Sequence, residues 1–96
     1  MERTCIIING VNPKTNIVEP VSVIPTPQEI TDKIMNSSLK NRKDLYIEFL
    51  DKKLFEEKEN LNSNKISLKD YNDWEDIIYE QKEQLEFLKD LSFDII

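Results

Sequence analysis

The chain has no histidine, no alanine, one glycine and one cysteine among its 96 residues. Without histidine it lacks the usual general base near neutral pH and the commonest metal ligand. A single cysteine, Cys5, can form no intrachain disulfide and assemble no zinc cluster. On a strand-like segment it reads as a small buried hydrophobe, because free cysteine is among the most buried residue types. With one glycine, Gly10, neither a glycine-rich phosphate loop nor a G-x-S-x-G nucleophile turn can be built. Serine and cysteine nucleophiles have no imidazole to activate them. Paired carboxylates carry no signal in a chain with 19 acids. The expectation is therefore a non-enzymatic protein with no cofactor and no bound metal. No run approaches the ~18 apolar residues of a membrane span, and no basic stretch leads into an apolar one at the start. A soluble, cytoplasmic protein without membrane contact is expected.

What is present fits one small domain spanning residues 1–96, since domains commonly run to ~100–150 residues. At this length folding buries only somewhat over ~60% of the unfolded chain's surface, so the core is modest. The apolar fraction of 39%, carried largely by Ile, Leu and Phe, is too high for a disordered chain. Isoleucine, lysine and asparagine supply 33 residues, all with A/T-rich codons, which points to an A/T-rich genome. The net charge of −6 disfavours direct binding to nucleic acid or to anionic membrane. That charge is uneven. Residues 1–43 hold six bases and four acids, residues 44–96 seven bases and fifteen acids.

The pattern predicts an α+β fold: an N-terminal β-hairpin over residues 1–25, followed by three helices packed against it. Residues 4–8 and 17–24 are rich in β-branched side chains, and Asn12-Pro13-Lys14-Thr15 between them suits a type I turn. Gly10 marks a bulge or an irregular strand end, and Pro20 confines the second strand to an edge. Two strands alone are marginal in water, so they need helices over them or a further strand. The first helix is expected over 26–38, with Thr26 as cap, Pro27 in the first turn and Glu29 closing a capping box. The second runs over 41–59, where Leu45, Tyr46, Phe49, Leu50 and Leu54 form a stripe, and Asn60 to Asn64 read as its stop. The third spans 67–91 from a cap at Ser67, with a seam of Tyr71, Trp74, Ile78, Gln81, Leu85 and Leu88 flanked by Ile77 and Phe87. The final Phe93, Ile95 and Ile96 are too apolar for a solvated tail and are expected to dock or extend. Lys40, Arg42 and Lys43 read as a solvated cluster, too small to be a nucleic-acid patch.

The sharpest feature is acidic. Residues 70–94 hold nine acids against Lys82 and Lys89, and Asp73, Asp76, Glu80 and Glu83 fall three or four apart on one helix face. Like charges at that spacing destabilise a helix, so the row needs core packing behind it or a basic partner in front. Solvation that keeps a small protein soluble is the plain alternative. Trp74 is the candidate anchor, because tryptophan is enriched in binding hot spots. The functional expectation is a binding module that docks on a basic protein surface through Asp73, Trp74, Asp76, Glu80 and Glu83 and inhibits or regulates its partner. The alternative is a structural or assembly protein of the phage tail or virion type, self-associating as a homo-oligomer through the hairpin edge or the third helix. Small size, acidity and residue usage resemble accessory proteins of bacterial phages and mobile elements, a likeness of composition that no motif carries.

Overall fold

The computed structural model describes residues 3–95, with side chains from Cys5 onward. Ile96, and with it the docking expected of it, and the first two residues lie outside the described residues. The fold is α+β, an N-terminal antiparallel hairpin followed by three helices. In chain order the elements are β1 (Arg3–Thr4), β2 (Ile6–Val11), β3 (Val18–Val21), β4 (Thr26–Pro27), α1 (Gln28–Met35), α2 (Leu39–Asn62), α3 (Leu68–Phe87) and β5 (Lys89–Ile95).

The hairpin is β2 with β3, and its turn follows from Asn12. The Asn12 side-chain oxygen accepts from Lys14 N–H at 2.8 Å, and Asn16, at φ 58°, donates its N–H to Asn12 O at 2.8 Å. Asparagine tolerates that left-handed backbone better than most residues. Pro20 lies on β3, an edge strand, as its missing N–H requires.

The third strand comes from the C-terminus. β5 pairs antiparallel with the other side of β2, giving the order β3-β2-β5, with Ile8 opposite Phe93 and Ile6 opposite Ile95. The helix expected to reach residue 91 therefore ends at Phe87, and the backbone turns extended at Leu88. Its last expected turn holds Leu88 and Leu91, which the sheet buries or half-buries instead. Extending the sheet pairs the backbone of β2 on both sides, which a longer helix would leave open.

Gly10 stands at a bulge, but the extra residue is in β5: Asn9 faces Ser92 and Val11 faces Lys89. The positive φ of 51° belongs to Asp90, not to Gly10. Gly10 is needed for a different reason. A Cβ there would lie 2.6 Å from Leu88 Cβ and 2.8 Å from Leu91 Cδ2. The glycine lets the α3–β5 junction close onto the sheet.

The helix ends differ from expectation where tertiary contacts intervene. Thr26 does not cap α1; it pairs with Thr4 in a two-residue ladder, and its buried hydroxyl bonds that of buried Thr31. Pro27 takes the cap position instead and supplies no side-chain bond. At the other end of α1, half-buried Arg42 donates to Met35 O at 2.8 Å and Ser37 O at 3.1 Å. A guanidinium on orphan carbonyls at a helix C-terminus is favourable, so Arg42 is a structural cap rather than a solvated charge.

Helix α2 overruns its predicted limits on both sides. Ser38 sits at its N-cap position, and Asn60 and Asn62 stay helical. The stop is Asn64, at φ 60°, with Lys65 N–H on Asn60 O at 2.8 Å and Asn64 N–H on Leu61 O at 3.1 Å. This is a Schellman end, with asparagine where glycine is commonest. Since the left-handed backbone costs a side chain with a Cβ ~1–2 kcal/mol and asparagine recovers part of it, Asn64→Ala is expected to lower stability by about 1 kcal/mol in a urea titration.

One core joins the layers. Ile6, Ile8, Val21 and Phe93 of the sheet meet Ile34 of α1, Tyr46 and Leu50 of α2, and Ile78 and Leu85 of α3. Full burial of each such aliphatic side chain contributes ~1.5–3 kcal/mol. The polar exception is resolved within the core. Tyr46 Oη accepts from Ile24 N–H at 3.1 Å and donates to Gln81 Oε1 at 3.0 Å.

Candidate functional site

Helix α3 places the acids where they were expected, because its seam is used up inside the chain. Tyr71, Ile78, Gln81, Leu85 and Leu88 are buried, so α3 turns that side inward and carries Asp73, Asp76, Glu80 and Glu83 on its outer side. All four are exposed. Ser67 caps the helix by accepting from Asp70 N–H at 3.1 Å, and Asp70 lies in the first turn, where the helix dipole favours an acid.

The surrounding lysines are mostly engaged. Lys69 pairs with Asp73 at 3.3 Å, Lys82 reaches across to Asp51 of α2 at 2.8 Å, and Lys43 meets Glu86 at 3.4 Å. Lys52 and Lys53 are held within α2 by Glu48 and Glu57. Among the described residues Asp76, Glu80 and Glu83 have no basic group within ion-pair distance. Three carboxylates one helical turn apart thus face solvent with no ion-pair partner among the described residues. Removing their mutual repulsion should stabilise α3 by ~0.2–0.5 kcal/mol per pair.

Trp74 does not join that face. It is half-buried on the α2 side, with the Lys53 ammonium 4.8 Å from the ring centroid. A cation over the indole face is a stabilising contact within the chain. Sequence spacing sets Trp74 in the seam, but it could not say whether that stretch of seam is covered by the chain itself or left open to a partner.

Exposed apolar residues do accompany the acids: Ile77 and Tyr79 beside them, and Phe87 at the end of the row. The spacing that sets Asp76, Glu80 and Glu83 continues to Phe87, which is 46% exposed at the end of the helix. By spacing it flanks the seam, but the chain leaves the helix right after it, and nearly half of the residue stays exposed. Ile77, also read as a flank, is 42% exposed. The signal for Phe87 was the continuation of the acidic spacing by one more turn.

Other concave surface is shallow. A groove between α1 and α2 has Pro27, Ile30 and Phe49 along its floor, with Lys52, Lys53 and Glu56 beside them. Two of these bases are already paired within α2, and the groove gathers no convergent set of free polar groups. Among the described residues no group of three or more potential metal ligands lies together, and no helix is long and apolar enough to cross a membrane. Compared with known proteins, this chain matches no family model, no curated protein and no solved structure.

Proposed function

We propose that this chain is a small protein-binding module without catalytic chemistry, which docks on a basic surface of a partner protein and inhibits or regulates it. The contact is the outer side of α3, with Asp76, Glu80 and Glu83 as the charged stripe, Asp73 at its start and Phe87 as the apolar anchor at its end. The observation that carries this reading is the uncompensated stripe itself. Lysines stand nearby, but Lys69, Lys82 and Lys43 pair with Asp73, Asp51 and Glu86 and leave these three carboxylates open. A basic partner would relieve the repulsion and be steered to the site by the field of the acidic half of the chain.

The test uses a partner captured at low salt, purified, and titrated calorimetrically against wild type and the Asp76→Asn/Glu80→Gln/Glu83→Gln variant. Exposed ion pairs contribute ~0.2–1 kcal/mol each, so the triple change should weaken binding roughly tenfold. The loss should shrink as salt screens the wild-type contact. The same variant should be slightly more stable than wild type, which separates a docking role from a structural one. Equal affinity of variant and wild type at low salt overturns the reading. Phe87→Ala should weaken the complex at every salt concentration, because its contribution is apolar.

A further inference from the structure

We propose that the open edge of β5 is a second binding surface, one that accepts an extended, lysine- or arginine-bearing segment of a partner as a fourth strand. β5 is the outermost strand on its side of the sheet, seven residues long, and pairs only with β2 among the described residues. No other backbone or side-chain hydrogen bond to its main chain is present among the described residues. An unpaired row of N–H and C=O groups is a template for another strand unless the edge is blunted. The opposite edge is blunted by Pro20 on a four-residue strand. On β5 the bulge at Asp90 and Leu91 spoils only the beginning, and residues 92–95 keep regular pairing to β2.

A second observation marks the same place. Ile95 stands opposite Ile6, which is fully buried, yet Ile95 itself is 43% exposed. The inward row of the sheet therefore runs out uncovered at β5, where an added strand would place its own apolar side chain. Charge selects the occupant. Asp90 and Asp94 outnumber Lys89 among the exposed charges of β5, neither acid has an ion pair among the described residues, and β5 follows the acidic α3 after the single residue Leu88. An incoming strand with bases on the solvent side and apolar residues on the core side satisfies both faces. A second copy paired antiparallel about Ser92 would set Asp90 against Asp94, which disfavours that pairing. This inference stands apart from docking on α3, since it rests on backbone pairing rather than on the helix face.

The test uses a capped peptide of alternating lysine and valine, matched to β5 in length, titrated into the intact protein and followed by NMR. Shift changes and slowed amide exchange are expected in residues 92–95 and not in 73–83. The same peptide with alternate residues N-methylated keeps its charge but cannot pair, and should bind at least tenfold more weakly. The Asp76→Asn/Glu80→Gln/Glu83→Gln variant should still take the unmodified peptide at β5, so failure of the α3 reading would leave this result intact. Equal binding of the N-methylated peptide, shifts confined to α3, no binding at millimolar peptide, or self-association of the free protein through β5 would each overturn the proposal.

Discussion

Gly10→Ala is expected to destabilise the protein by about 1–3 kcal/mol, the usual effect of overpacking a filled core. On propensity alone the sign would be opposite, since a glycine inside a strand is worth ~0.5–1 kcal/mol less than alanine. Geometry decides. The new Cβ would stand 2.6 Å from Leu88 Cβ, an atom fixed to the backbone, so no side-chain rotation relieves the contact. The junction between α3 and β5 would have to move away, taking Leu88 and Phe93 out of place, both of which are buried. Urea unfolding should show a lower midpoint with an unchanged slope. Adding Leu88→Ala should not rescue the variant, because alanine keeps the offending Cβ. A stabilised Gly10→Ala protein would show that β5 does not close on β2 in this register.

Tyr46→Phe is expected to cost about 2–4 kcal/mol, because one hydroxyl serves two buried groups. Its loss leaves Ile24 N–H without its acceptor and Gln81 Oε1 without its donor, and each buried unsatisfied group costs ~1–3 kcal/mol. Tyr46 and Gln81 are almost wholly buried, so water cannot easily replace the hydroxyl. Replacing Gln81 by leucine in the Tyr46→Phe background should recover part of the loss, as only Ile24 N–H then remains unpaired.

The same phenol sets an alkaline limit. Burial pushes Tyr46 up from its ordinary value of 10.0 to about 12, with the hydrogen bond from Ile24 N–H acting in the opposite direction. The raised value means that the unfolded chain loses the proton first as pH rises. Its contribution is fully present below pH 10 and is lost as pH climbs through that window to about 12, with a slope of about 1.4 kcal/mol per pH unit. Comparing the alkaline limbs of wild type and Tyr46→Phe should show that slope only in the wild type. Parallel limbs would mean that the hydroxyl is reached by water.

How far the sequence could be read follows from the range of each interaction. The three helices, the hairpin and the turn at Asn12 rest on spacings within a few residues and form where local chemistry places them, though the helix ends do not. The acidic row belongs to the same class, since four carboxylates three or four apart on a helix share a face whatever that helix packs against. Asn64 shows the limit of local reading. Three asparagines offered a stop for α2, and only the one that could take φ 60° with its carbonyl partners in reach became it.

Tertiary structure decided what lies far apart in the chain. Nothing near residue 88 announces that the helix ends, because the cause is the backbone of residues 6–11 waiting for a second partner. That pairing turned a marginal hairpin into a three-stranded sheet, gave Gly10 its purpose and left Phe87 exposed at the helix end. Gln81 looked like an unsatisfied polar group in a seam until Tyr46, from another helix, came within 3.0 Å. Trp74, a seam residue and candidate anchor, is half-buried against α2, and Phe87, a flank of the seam, is exposed, for the same reason. Helical spacing assigns a residue to a face, but the neighbouring elements determine whether that face meets protein or solvent.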